Sequence, residues 1–566
     1  MNEFSQGLKS PLALLVVALL SGCGGSSSFP PPTDLSCIAL GQLASEAFPV
    51  QPTQITLSKF VPAGSVSSGS TPMPDHCQVQ GVVNSRLGTG GIRFGNIFEV
   101  RLPLNWNGRF MFQGGGGTEG SLPSAFGTAG SAVPALAQGY AVLTQNGGHD
   151  NALLSSGPAF ALDTQAQIDY GYGSIDVSTQ TAKSLVQKFY GRSPDYSYSV
   201  GCSTGGKQGM TFSQMFPTYY DGIVAGDPIY NQGANTLSET NALQAIAAIV
   251  GQDPTTNKPL CYQSFTTADQ QLFTSAILES CDALDGLTDG VIDNLAACNF
   301  DPATYVFKST SLPLQCASDK TASCLSTAQI GAIKRINAGP RNALGQAIKN
   351  PFKPDGTNVA GYAYDGAFMA TSSGIPARDI GTATAAPGNL AFAAVQIPYM
   401  WMNPPVPSFD PLTINYDSDI AKLASNSPMV FNSTDLSGFK KRNGKIIYYH
   451  GLSDPGPPVT HTVNYYNQLT SLNGGVAATQ SFARLFLVPN MGHCSGGPST
   501  DTFDPLAAIV SWVEKGVAPD TIVASGKNFT TAPTTRSRPL CAYPKTARYT
   551  GPSGGDISLA SNYSCQ

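Results

Sequence analysis

Residues 196–206 read YSYSVGCSTGG. The first five have the pattern of a strand, and they run directly into Gly201-Cys202-Ser203-Thr204-Gly205. Behind them, Met210, Phe212 and Met215 fall partly on one side of an expected helix. A strand, a G-x-S-x-G turn and a helix in that order lift a serine hydroxyl clear of a sheet edge. Small neighbours permit the strained turn, and the helix N-terminus favours negative charge. Ser203 is therefore the candidate nucleophile, and its setting predicts an α/β-hydrolase fold.

Strands and helices alternate outward from this point. Residues 97–112 hold two strand-like runs split by Asn105-Trp106-Asn107-Gly108, and Gly114 to Gly117 follow at once. A strand is expected at 140–144, a helix at 179–190 and a short strand at 220–225. The alternation then stops, because residues 229–438 are rich in Ala, Pro, Ser, Thr and Asn without sustained strand pattern. It resumes with strands at 445–449 and 483–488 and helices near 459–471 and 504–515. Residues 37–228 and 439–566 are thus expected to form one catalytic domain with a parallel sheet, and residues 229–438 a large inserted lid domain.

A serine hydroxyl is a weak nucleophile until a base takes its proton. The five histidines are His76, His149, His450, His461 and His493. In this fold class the acid and base sit on loops after later strands, in the order Ser, Asp, His. Asp454 follows the strand at 445–449, and His493 follows the strand at 483–488. Asp454 is expected to orient the imidazole and His493 to act as base. His76 comes too early, His461 falls inside a helix and His450 ends a strand, so structural roles are expected for these. His149 ends a strand on the active-site side and is read as a packing residue or a pocket wall. The backbone N–H of Thr204 and one from the glycine run at 114–117 are the expected oxyanion donors.

Hydrophobic residues make up 41% of the 566, charged residues 12%, and the net charge is -5. That supports a large core and excludes a nucleic-acid partner, which would need a basic face. Residues 1–22 read as an export signal: Lys9, then an apolar run at 12–20 too short to anchor permanently in a bilayer. Leu20-Ser21-Gly22-Cys23 resembles a lipobox, which implies lipidation of Cys23. An ordinary secretory signal is the alternative. Residues 23–36 read as a flexible tether. An outer-membrane lipoprotein or a periplasmic or extracellular monomer is expected, touching a membrane only through a lipid on Cys23. Twelve cysteines in an exported chain argue for disulfides, but spacing alone does not fix their connectivity. One candidate joins Cys202 to Cys494 and so clamps the serine turn to the histidine loop.

Together these marks resemble the tannase/feruloyl esterase family: Gly-Cys-Ser-x-Gly-Gly at 201–206, Ser-Asp at 453–454 and His-Cys-Ser-Gly-Gly at 493–497. FYGR at 189–192, FPTYYDGIVAG at 216–226 and RPLCAYP at 538–544 are similar to its bacterial, terephthalate-monoester branch. The resemblance implies hydrolysis of small aromatic esters. It implies the pairs Cys37–Cys77, Cys202–Cys494, Cys281–Cys298, Cys316–Cys324 and Cys541–Cys565, with Cys261 free, and an oxyanion hole from Gly115 and Thr204. It further implies a structural calcium ion on the loop at 281–293, CDALDGLTDGVID, held by the side chains of Asp282, Asp285 and Asp289 and the carbonyls of Leu287 and Val291. Phe392 corresponds to an aromatic that packs on the substrate ring. The arginine that holds a monoester's carboxylate just before that aromatic is replaced, with Gly388 near its place, and Pro457 stands where another aromatic is expected. That points away from terephthalate monoesters, towards hydroxycinnamic, gallic or other aromatic esters.

Overall fold

The structure is a computed structural model that describes residues 32–128, 133–352, 357–365, 369, 389–425 and 427–566. The expected export signal, Cys23, most of the expected tether and Gly388 lie outside the described residues.

Nine strands form the main sheet: β1 (Thr53–Val61), β2 (His76–Leu87), β3 (Arg93–Pro103), β4 (Arg109–Gln113), β5 (Ala141–Gln145), β6 (Tyr196–Cys202), β7 (Gly222–Gly226), β8 (Lys445–Gly451) and β9 (Ala483–Val488). Their spatial order is β1-β2-β3-β5-β4-β6-β7-β8-β9. The first three strands and β5 pair antiparallel, and everything from β5 through β9 is parallel. The parallel strands are covered on both faces, so β5 and β7 are buried at every position.

Alternate residues of one strand enter different cores. Phe110 and Phe112 of β4 pack with Leu185 of α1 (Ser174–Tyr190) and with Met210 and Phe212 of α2 (Thr204–Met215). Met111, between them, packs on the other face with Val142, Val200 and, from α7 (Pro505–Lys515), Ile509 and Trp512.

The insertion between β7 and β8 has its own core. Ala242 and Ile246 of α3 (Gln232–Ala247), Phe273 and Ile277 of α4 (Thr267–Cys281) and Ile330 and Ile333 of α5 (Thr327–Ala338) share one cluster. A further cluster joins Phe352, Met400 and Trp401 of the insertion to Phe94, Phe160 and Tyr170 of the catalytic part. After β8 come α6 (Val459–Leu472), β9 and α7. The hairpin β10 (Thr521–Gly526) and β11 (Arg536–Cys541) then returns the chain towards the acidic loop. Among the described residues the disulfides are Cys37–Cys77, Cys202–Cys494, Cys281–Cys298, Cys316–Cys324 and Cys541–Cys565. Cys261 is free and buried.

Candidate active site

Strand order reverses at β4, which has β5 on one side and β6 on the other. Loops leaving the ends of β4 and β6 therefore diverge and open a crevice. Ser203 stands there between β6 and α2, at φ 62° and ψ -121°. Its N–H donates to the Gly226 carbonyl at 2.9 Å and its own carbonyl accepts from Lys207 N–H at 3.0 Å. These bonds hold a conformation that costs a non-glycine residue about 1–3 kcal/mol. The turn also needs bare backbone: a Cβ on Gly114 would lie 2.5 Å from Gly205 Cα, and one on Gly206 would lie 2.4 Å from the Gly226 carbonyl oxygen.

His493 and Asp454 meet from the loops after β9 and β8. His493 Nδ1 lies 2.7 Å from Asp454 Oδ2. A carboxylate oxygen only accepts, so Nδ1 carries the proton and Nε2 is the unprotonated, basic nitrogen. Asp454 is buried, and its Oδ1 accepts from Gly456 N–H at 2.7 Å. Burial pushes this carboxyl up, but His493 and His450 outweigh it and hold it well below the usual carboxylate range. The Cys202–Cys494 bridge sets the two flanking Cα atoms 5.9 Å apart, and Ser203 and His493 line the same cleft of about 370 Å³.

The glycine loop differs in detail from expectation. Thr204 begins α2 directly after Ser203, but Gly115 N–H donates to Gln208 Oε1 at 3.0 Å. Gly116 and Gly117, not Gly115, line the cleft. Gln208 in turn donates to Glu119, which also accepts from Gln145 at 2.7 Å. Lys207 lies buried with its Nζ 3.7 Å above the Tyr170 ring. Burial pushes Glu119 up and Lys207 down, and each pulls the other back towards its charged form.

Phe392 lines the cleft, with Pro457, Ile229, Gln232, Thr236, Gln396 and Glu239. A Cβ on Gly456 would stand 3.6 Å from His493 Nδ1 and 3.8 Å from Glu239 Oε1, which puts that carboxyl close to the catalytic loop. The remaining histidines divide. His76 bridges the Pro74 carbonyl and Arg101, and burial lowers it to about 4. His149 stacks on Phe160 at 4.2 Å between centroids, away from the cleft lining. His461 accepts from Ala360 N–H at 2.9 Å and ties α6 to the insertion. His450, read as a structural strand end, instead touches Asp454: its Nε2 is 3.3 Å from Oδ2.

On the acidic loop, Asp282 Oδ2 accepts from Gly290 N–H at 2.8 Å, and Asp285 accepts from the N–H groups of Leu287 and Asp293. Arg536 and Arg538 of β11 pair with Asp289, and Arg538 also pairs with Asp293. Asp282 Oδ1 and Asp289 Oδ1 remain buried without a partner. Burial and the Asp293 carboxyl push Asp285 up to about 8. Four aspartates face only two guanidiniums, and two of their buried oxygens have no hydrogen-bond partner, so the oxygen-rich donor set fits calcium. Among the described residues, the groups of three or more side-chain donors within 4.8 Å of one another lie elsewhere, beside Cys202 and Asp454. The loop's carboxylates are more widely spread, and a shared ion needs the carbonyls of Leu287 and Val291 as well.

Fold and site define an ester hydrolase on an α/β-hydrolase sheet. The family model of tannase and feruloyl esterase matches residues 77–566. A mono(2-hydroxyethyl) terephthalate hydrolase of Piscinibacter sakaiensis is 40% identical over 548 residues, 92% of this chain and 89% of that one. A probable feruloyl esterase B-2 of Aspergillus flavus is 30% identical over 452 residues, 75% of this chain and 76% of that one. Among solved structures, feruloyl esterase B of Aspergillus oryzae superposes with a TM-score of 0.73 at 24% identity, over 94% of this chain and 100% of that one. The chain belongs to the tannase and feruloyl esterase family and is a carboxylic ester hydrolase.

Proposed function

We propose that the protein is an exported hydrolase of small aromatic esters that works through an acyl-enzyme on Ser203. The hydrogen bond between His493 and Asp454, placed by a disulfide against the serine turn, carries this reading. His493 Nε2 takes the Ser203 proton as the hydroxyl oxygen attacks the ester carbonyl. The oxyanion forms at the N terminus of α2, where Thr204 N–H is one donor. Gln208 occupies the expected Gly115 donor, so Gly116, which lines the cleft, is assigned the second. Such a donor contributes about 3–4 kcal/mol at the transition state. The imidazolium returns its proton to the departing alcohol, and water then attacks the acyl-enzyme through the same base.

Substrate class follows from the cleft. Its described lining holds the Glu239 carboxyl, the amides of Gln232 and Gln396 and the Phe392 ring, and no lysine or arginine. A neutral ester whose hydroxyl groups donate to Glu239 and the amides is favoured over one that brings its own carboxylate. This supports hydroxycinnamate-type or gallate-type esters over a terephthalate monoester. Calcium on Asp282, Asp285, Asp289 and the carbonyls of Leu287 and Val291 neutralises the acidic loop and supplies structure, not chemistry. Five disulfides support an oxidising compartment. Among the described residues no helix is long and apolar enough to cross a membrane. The lipobox-like Leu20-Ser21-Gly22-Cys23 supports attachment through a lipid on Cys23. A monomer remains our reading.

The test is Ser203→Ala on a panel of methyl ferulate, methyl gallate, chlorogenic acid and mono- and bis-hydroxyethyl terephthalate. We expect kcat/KM to fall by at least ~10⁴-fold with Tm unchanged. Retained turnover refutes the assignment.

A further inference from the structure

Asp454 Oδ2 faces two imidazoles. His493 Nδ1 lies 2.7 Å from it, and His450 Nε2, at the end of β8, lies 3.3 Å from the same oxygen. His450 is fully buried. Its Nε2 also lies 3.0 Å from the Pro457 carbonyl, which can only accept, so Nε2 carries a proton, hydrogen-bonded to Pro457 with Asp454 Oδ2 close by on the same nitrogen. Its Nδ1 lies 2.9 Å from Thr462 Oγ1 of α6, which fixes the ring plane.

We propose that His450 is a positioning residue: its Nε2–H shares Asp454 Oδ2 with His493, fixing the carboxylate and moderating the basicity of the catalytic imidazole. The proposal rests on the triad assigned above and goes beyond it. An oxygen that accepts from two N–H groups gives less of its charge to either one. His493 is therefore kept a weaker base than a single carboxylate partner would make it, and stays neutral to lower pH.

Asp227, at the end of β7, completes this shell. Its Oδ1 accepts from Gly451 N–H at 2.9 Å and lies 3.8 Å from His450 Nε2. Its Oδ2 lies 3.4 Å from Cys202 Sγ. A disulfide sulfur has no proton to donate, so any hydrogen in that contact sits on Asp227. Burial and Asp454 push the Asp227 carboxyl up, in keeping with a protonated acid. The groups facing His450 are thus Asp227 from β7, Asp454 and, across it, His493 from the loops, and His461 from α6. His461 is held neutral by burial. Burial lowers His450 itself, but the Asp454 carboxylate and the Pro457 carbonyl pull it up.

His450→Gln and His450→Asn test this by reach alone. The glutamine amide nitrogen occupies the place of Nε2, whereas the asparagine amide stops at the place of Nδ1, beside Thr462. Each variant is measured for kcat, KM, the acidic limb of kcat/KM, the rate of Ser203 labelling by a fluorophosphonate, and Tm. We expect His450→Gln to keep kcat within about threefold of the parent. His450→Asn is expected to lose about tenfold or more in kcat with little change in KM, and its acidic limb should move up by about one pH unit. Equal kcat and an unmoved limb in both variants overturn the proposal. So does failure of both to fold, which would make the role purely structural. If the parent protein is not labelled at Ser203 at all, the triad itself is wrong. Labelling of the parent with no difference between the variants sinks only the role of His450.

Discussion

At the scale of single residues, the site depends on where charge is allowed to be. Asp454 is ionised in a buried place because two imidazoles face it, while Asp227, a few ångströms away, is pushed towards its neutral form. Glu239 brings a carboxyl to the substrate side of the cleft. Exchanging this carboxyl for an amide of equal length takes its negative charge out of the cleft wall, which a charged ester feels more than a neutral one. Glu239→Gln is therefore expected to raise kcat/KM for mono-hydroxyethyl terephthalate roughly fivefold relative to the neutral bis ester. Steady-state rates on the two esters check this, and an unchanged ratio would remove Glu239 from substrate selection. Neither Glu239 nor Asp227 stands out in the sequence, because nothing near either residue marks it as close to Ser203.

At the scale of elements, the catalytic strands and helices are legible from periodicity, and the insertion is not. Apolar runs such as 141–145 and 483–488 are buried on both faces, so composition alone reveals them. Helix α3 is buried nearly all round yet reads QGANTLSETNALQAIA, so it shows no apolar stripe. Helices α4 and α5 did carry a signal, in the capping boxes of Thr266 with Asp269 and Ser326 with Gln329. The acidic loop was visible as a ligand-rich stretch, but its two arginines come from β11, some 245 residues later. With Arg536 and Arg538 in place, four aspartates of the loop still face only two cations. Calcium at about 100 times its Kd should stabilise the protein by about 2.7 kcal/mol. A rise in Tm on adding calcium to chelated protein, abolished in Asp282→Asn, checks this. Equal Tm values with and without calcium would remove the ion.

At the scale of the molecule, the catalytic groups come from segments far apart in the chain, and one covalent bond ties two of them. Cys202 and Cys494 are 292 residues apart. Closing so long a loop stabilises the fold by about 2–5 kcal/mol. The same bond holds the neighbours of Ser203 and His493 with their Cα atoms 5.9 Å apart at one cleft, and Cys494 itself sits at φ 66°. Replacing both cysteines by alanine should lower Tm and also cut kcat by about tenfold or more at temperatures where the variant stays folded. A variant of lower Tm and full kcat would show that the bridge serves stability alone.

The sequence by itself determined the sheet and the serine turn, and it marked Asp454 and His493 as the candidate acid and base. Those rest on local backbone preferences and on chain order, which a linear pattern carries. Only the tertiary structure decided that Gln208 takes the Gly115 donor, that His450 and Asp227 crowd the catalytic carboxylate, that Glu239 faces the cleft and that β11 answers the acidic loop. Each of these is a contact between groups tens to hundreds of residues apart, or between side chains whose direction the backbone alone sets. Such contacts exist only once packing has brought the segments together.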